Sequence, residues 1–177
     1  MAAKCAQDGC DFVILLGDNL YRMGPTGVED VQWAQKFETP YAALHVPFYV
    51  VLGNHDVASD PIFGTGYTPT QAVMEVQYTD HSDKWTMPAT HYTLSAGPVA
   101  FLTLDTTSLY NHVVMYGDQN QWIAGARDAM KADHPWVLSA GHHTFVSNGD
   151  HGNAGAYGYF DFDTGADIKT FFEKNLC

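Results

Sequence analysis

Phe12-Val13-Ile14-Leu15-Leu16-Gly17-Asp18-Asn19-Leu20-Tyr21 is an apolar run that ends abruptly on a glycine and a carboxylate. Three further stretches repeat the arrangement: Phe48-Tyr49-Val50-Val51-Leu52 leads into Gly53-Asn54-His55-Asp56, residues 99–104 into Asp105, and residues 136–140 into Gly141-His142-His143. Short continuous apolar runs rich in Val, Leu and aromatics read as strands buried on both faces, as in a sheet covered by helices. Their last residues then line one rim of a sheet, which is where open α/β sheets place their ligands.

The segments between the runs fit that reading. Residues 28–44 carry Trp33, Phe37, Tyr41 and Leu44, with Val31, Ala34, Glu38 and Ala42, at helical spacings. They predict an amphipathic crossover helix interrupted near Thr39-Pro40. In residues 118–133 Asp118 can cap, Trp122, Ala126 and Ala129 or Met130 share a face, and His134-Pro135 ends a second crossover helix. Both spans suit a strand, crossover helix and parallel strand. Residues 59–98 differ, being broken by Gly64, Gly66, Pro69 and Pro88. Within them residues 90–95, Gly97-Pro98 and then residues 99–104 predict a hairpin that joins a sheet antiparallel. A helix-like start precedes the first strand, and residues 167–176, with Ile168, Phe171 and Phe172 on one face, predict a closing helix. No internal repeat, linker or low-complexity segment is visible, and the two ends read like the middle of a larger α/β domain.

At 177 residues, 46% hydrophobic and 14% aromatic, the chain has the size and composition of one domain with its own core. Eight Lys and Arg against twenty Asp and Glu leave a net charge of −12. Nucleic acid and anionic membrane are therefore poor partners, whereas an acidic chain with nine histidines suits cations. No apolar run approaches the length that spans a bilayer. Asp8 and Asp11 interrupt the place where an export signal would need its apolar region. Cys5, Cys10 and Cys177 form neither a CxxC metal pair nor an even disulfide framework, and the odd count leaves at least one thiol over.

The strand-end geometry alone predicts that Asp18, Asn54 and His142 converge. A carboxylate, an amide oxygen and an imidazole suit Zn, Mn or Fe, and the lack of a thiolate argues against a structural zinc cage. Glycines before each of the three would let the backbone turn tightly over the rim. Singly, an Asp after a strand is more often a cap, an Asn a turn residue, and a His a satisfied polar group. The joint pattern carries the inference.

Leu16-Gly17-Asp18-Asn19-Leu20-Tyr21, Gly53-Asn54-His55-Asp56, Ala140-Gly141-His142-His143 and Gly149-Asp150-His151-Gly152 resemble, in order, consecutive motifs of the calcineurin-like metallophosphoesterases. Tyr21, and the pair His151-Gly152, make the chain look most like the small, tartrate-resistant type of purple acid phosphatase. The resemblance implies an α/β two-sheet sandwich flanked by helices and a dinuclear centre of Fe(III) with a divalent Fe, Zn or Mn. Asp18 would bridge the metals, Tyr21 would bind the ferric ion as a phenolate, and Asn54 and His142 would bind the divalent ion. His55 and His151 would be the catalytic pair that holds the phosphoryl oxygens and protonates the leaving group. The implied reaction is hydrolysis of small phosphate monoesters through a metal-bound hydroxide.

The pattern departs from the family at both ends. Nothing before Asp18 matches the family's first GDxG-like motif, and the later GHxH motif is absent. Residues 1–177 are thus expected to be a single partial metallophosphoesterase domain, with the activity belonging to a longer protein. Alternatives are a phosphodiesterase or nucleotidase of the same superfamily, or a non-catalytic chain that binds at most one metal. Relatives of this type are often exported, to the periplasm or outside the cell, and a leader would lie upstream of Met1; compartment and oligomeric state stay unassigned. Asp105 reads as a cap and Asp56 as an organiser of local hydrogen bonds. His143 stands where many relatives carry an aromatic residue, and a phosphate contact and a solvated neighbour are both open. His45, His81, His91, His112 and His134 read as structural or surface residues, and Tyr67, Tyr110, His112 and Tyr116 as loop residues.

Overall fold

The computed structural model describes residues 1–60, 62–111, 113–115 and 117–144, together with Glu173 and Leu176. It is a mixed α/β chain with two small sheets, and it divides into two units, Met1–Thr90 and His91–Cys177.

In the first unit a short helix, α1 (Ala2–Asp8), buries no residue and ends at Gly9, whose φ of 82° lies in the left-handed region that glycine tolerates. Cys5 and Cys10 are joined by a disulfide across that end, a pairing the cysteine count did not single out. Strand β1 (Val13–Leu16) pairs in parallel with β2 (Phe48–Val51), in the register Val13 to Phe48 through Leu16 to Val51. The two-residue β3 (Trp85–Thr86) lies parallel on the other side of β2, giving the order β1-β2-β3. Central β2 buries Phe48, Val50 and Val51, as expected. Edge strand β1 does not conform to burial on both faces: it is half-buried, and its Leu16 is 55% exposed.

The crossover between β1 and β2 is helical where expected but shorter. Its regular part is a π-helical segment, Trp33–Glu38. Asp30 starts it, accepting hydrogen bonds from the backbone N–H groups of Thr26 at 2.8 Å and Gln32 at 2.9 Å, and Pro40 stops it by lacking a donor. Its buried face is aromatic: Trp33 stacks on Tyr78 at 3.7 Å, and Phe37 meets Phe48 edge-on at 5.3 Å and Trp85 at 4.9 Å. After β2 come a one-turn helix, α2 (Asn54–Val57), and then α3 (Pro69–Gln77) inside the stretch that reads as broken. Pro69 sits in the first turn of α3, where its missing N–H costs nothing.

The second unit realises the expected hairpin. Strand β4 (Tyr92–Ala96) runs antiparallel to β5 (Val99–Thr103) across Gly97-Pro98, and β6 (Trp136–Ala140) lies parallel to β5 on its other side. Asp105 caps α4 (Thr106–Tyr110), which moves Tyr110 from a loop into a helix. Asp118 caps α5 (Gln119–Asp133), accepting from Asn120 N at 2.9 Å, and Ile123 drives into a core with Leu102 and Leu104. Trp122, Ala126, Met130 and Leu176 pack around that core, so the expected face of α5 is the buried one. Like β1, β6 is an edge strand and departs from two-sided burial, with Trp136 65% and Leu138 47% exposed.

No described helix is long and apolar enough to cross a membrane. The expected helix over residues 167–176, apart from Glu173 and Leu176, lies outside the described residues, as do His112, Tyr116 and His151.

Candidate functional site

Two of the motifs meet in the first unit. Because β1 and β2 are parallel and in register, the loops that leave them emerge at the same rim. Gly17 takes φ 91° and Asp18 takes φ 54°, a left-handed conformation uncommon outside glycine that turns the chain sharply over the strand end. The Asp18 Oδ1 accepts the backbone N–H of His55 at 3.0 Å. Gly53 packs so closely on Asp18 that a Cβ there would collide with both the Asp18 backbone nitrogen and its Oδ1.

Asp56 fastens the two loops together. Fully buried, its carboxylate accepts from the backbone N–H of Leu20 at 2.8 Å, from that of Gly53 at 2.8 Å and from Asn19 Nδ2 at 3.0 Å. Asn19 also donates to Val51 O at 3.0 Å. The expected role of Asp56 as a local organiser is thus seen directly, whereas Asn19, although it lies within the Asp18 motif, has no role that the sequence assigns.

Tyr21 is 51% exposed, with its hydroxyl on the Asp18 carboxylate and its ring stacked on His55 at 4.2 Å. Loss of hydration, then the hydrogen bond and charge of Asp18, then the charge of Asp56, push its pKa up to about 12. Without a cation it therefore stays a phenol at neutral pH. His55 Nδ1 lies 3.0 Å from the carbonyl of Arg22; a carbonyl only accepts, so the ring proton sits on Nδ1 and donates there. Asn54 donates from Nδ2 to Gly64 O at 2.9 Å, which sets the way its amide faces. Gly64, at φ 65°, leaves room for His55: a Cβ would come within 2.7 Å of its Nε2.

Asp18 lines a cavity of about 140 Å³ with Leu15, Leu16, Asn19 and Lys36. A larger one of about 440 Å³ in the same unit is lined by Glu38, His45, His81 and Lys84 and contains none of the motif residues.

The second unit holds His142 and His143 just past β6. Gly141 brings the chain against α4, where a Cβ would lie 2.7 Å from Thr106 Cγ2. His143 is hydrogen-bonded to Thr106 and stacked on Tyr110, so it is not a merely solvated neighbour. Thr106 lies in Leu104-Asp105-Thr106, a stretch through which the family resemblance also runs, but the sequence assigns it no role of its own.

Oxygen donors of the Asp18, Tyr21 and Asn54 types suit hard ferric and divalent cations, so the residues fit the implied metals in chemistry. They do not amount to a full shell. Among the described residues no three His, Cys, Asp or Glu side chains are grouped to hold a metal ion.

The parallel strands thus deliver a carboxylate, a phenol, an amide and an imidazole to one rim of the first unit. The sequence model described as Calcineurin-like phosphoesterase matches residues 2–171, and the chain belongs to that family. It is 28% identical over 167 residues to "Tartrate-resistant acid phosphatase type 5" of Sus scrofa, covering 81% of this chain and 45% of that protein. It is 27% identical over 161 residues to "Purple acid phosphatase 3" of Arabidopsis thaliana, covering 81% of this chain and 41% of that protein. The chain thus spans less than half the length of these curated relatives.

Proposed function

We propose that these residues belong to a phosphatase that hydrolyses small phosphate monoesters, with a dinuclear centre of Fe(III) and a divalent ion in the complete protein. The observation that carries the reading is the tie between the Asp18 carboxylate and the His55 backbone, with Tyr21 on both residues. In this reading residues 1–177 are part of one metallophosphoesterase domain.

In this reading Asp18 would hold both ions, Tyr21 would bind on the ferric side, and Asn54 and His142 would bind on the divalent side, each as part of a larger ligand set. When bound, such a pair of cations acidifies a water and neutralises charge on the attacking and leaving oxygens. The chain's own groups do the rest. Bonded through Nδ1–H to Arg22 O and packed on Tyr21, His55 is held in place, and in its imidazolium form the second N–H, on Nε2, would donate to a phosphoryl or leaving-group oxygen. His151 is proposed as its partner.

The test is metal stoichiometry and visible absorption on the purified chain, with hydrolysis of p-nitrophenyl phosphate compared with bis(p-nitrophenyl) phosphate. Two metals, colour and preference for the monoester are expected of the complete protein. Preference for the diester would move the substrate class. A complete protein without metal would overturn the reading, and turnover lacking in residues 1–177 alone would assign the activity to the longer chain.

A further inference from the structure

His143 follows the proposed metal ligand His142, and its ring is held on two sides. Tyr110 stacks on it with centroids 5.2 Å apart and planes 7° apart, and His142 meets it edge-on at 5.3 Å and 83°. Thr106 Oγ1 lies 2.7 Å from its Nδ1 and accepts its backbone N–H at 3.2 Å. Thr106 itself is set in place by the capped turn of α4, in which Asp105 accepts from Ser108 N at 2.9 Å and donates its own N–H to Gln119 Oε1 at 3.0 Å.

Thr106 has no exposed surface, so its hydroxyl proton needs an internal acceptor. Among the described residues, His143 Nδ1 is the acceptor within reach. One hydroxyl thus donates to Nδ1 while accepting from the backbone, and both groups are satisfied. Neutral His143 then carries its ring proton on Nε2. That tautomer separates two roles. Binding a metal through Nε2 would need the proton on Nδ1, leaving the buried Thr106 proton without its acceptor. Donating a hydrogen bond needs the proton where it is.

We propose that His143 is a substrate-binding residue whose Nε2–H donates to a phosphoryl oxygen held beside His142. The inference rests on the proposed phosphatase site and names a donor in it. A bound ester and free phosphate present the same oxyanion, so inorganic phosphate is a sufficient probe.

The experiment is ¹⁵N NMR of the imidazole nitrogens in the full chain, with phosphate titration and metal analysis of His143→Ala, His143→Gln and Thr106→Val. We expect the Nε2–H tautomer in the unsubstituted chain and a mixture of tautomers in Thr106→Val. The phosphate dissociation constant should rise about tenfold or more in His143→Ala, the loss of one hydrogen bond to a charged group. It should recover to within about threefold in His143→Gln, whose amide N–H reaches a similar position, with metal content equal throughout. An Nδ1–H tautomer, unchanged phosphate affinity in His143→Ala, or loss of metal in that variant would each overturn the assignment. Phosphate binding that depends on His143 in a complete protein that hydrolyses no ester would sink the phosphatase reading alone.

Discussion

The backbone N–H of His55 donates to Asp18 Oδ1 at 3.0 Å, tying together two residues 37 positions apart. The bond exists because Leu16 and Val51 are opposite one another in parallel register, so both chains turn out of the sheet at the same level. It also depends on Gly53, which leaves the space that Asp18 occupies.

Gly53→Ala should therefore destabilise the first unit by steric conflict alone. Gly53 has φ −98°, which any residue adopts, so no backbone penalty is involved. The added methyl meets the Asp18 backbone nitrogen and Oδ1, and an insertion of that kind costs about 1–3 kcal/mol. Urea unfolding should show the lower midpoint, and titration with a divalent metal should show weaker binding because Asp18 must move. An unchanged midpoint would mean that the loop yields freely.

Asp56 should matter more to stability than any proposed ligand. Its buried carboxylate serves two backbone donors and Asn19, and removing it orphans three N–H groups at once. Asp56→Ala is expected to cost about 3–5 kcal/mol, and Asp56→Asn somewhat less, because the amide keeps one acceptor but points a donor at a donor. Equilibrium unfolding of both variants checks the order. A loss of metal binding without a loss of stability would show that Asp56 acts on the metals instead.

Much of this arrangement is legible in the sequence, and its failures have physical causes. The four strands and the Asp105 and Asp118 caps announce themselves, because apolar runs and side-chain acceptors at helix starts are local signals. Whether a strand is central is not local: β2 and β5 are covered while β1 and β6 lie at edges, although all four runs are predominantly apolar. Helix α3 is hidden because its buried side is Gln71, Ala72 and Glu75, which gives no hydrophobic period to read. Asp18, Tyr21, Asn54 and His55 are legible as a set from their motifs, and the structure places them on adjoining loops of one unit. The Thr106–His143 bond spans 37 positions between residues without a shared motif, so only the fold displays it.

The disulfide supplies a chemical test of the first unit. Three cysteines with Cys5 and Cys10 paired leave one thiol, so alkylation of the unfolded, unreduced chain should label one cysteine, and all three after reduction. Because α1 buries no residue, reduction should leave the sheet intact and cost at most about 2 kcal/mol, the loop-entropy value for so short a ring. Mass spectrometry and a melt with and without reductant read both. Collapse of the fold on reduction would show that α1 supports the sheet in a way its exposure does not reveal.

Alkaline pH should weaken the aromatic core through Tyr78. Burial first, then the charge of Glu38 and the hydrogen bond to it at 3.3 Å, push the Tyr78 pKa up from 10.0 to about 12. In the unfolded chain Tyr78 ionises near pH 10, so between pH 10 and 12 the folded state holds a proton that the unfolded state has lost. The resulting stability is complete below pH 10 and is lost as pH rises through 12, amounting to about 2–3 kcal/mol at most. Tyr78→Phe keeps the stacking on Trp33 and removes the ionising group, so its unfolding free energy should fall less steeply between pH 10 and 11.5. Tyr21, raised in the same direction, leaves the variant a residual slope. Urea titrations at successive pH values give both curves. Parallel curves would show that Tyr78 ionises as freely in the folded chain as in the unfolded one, and that Glu38 does not hold its proton.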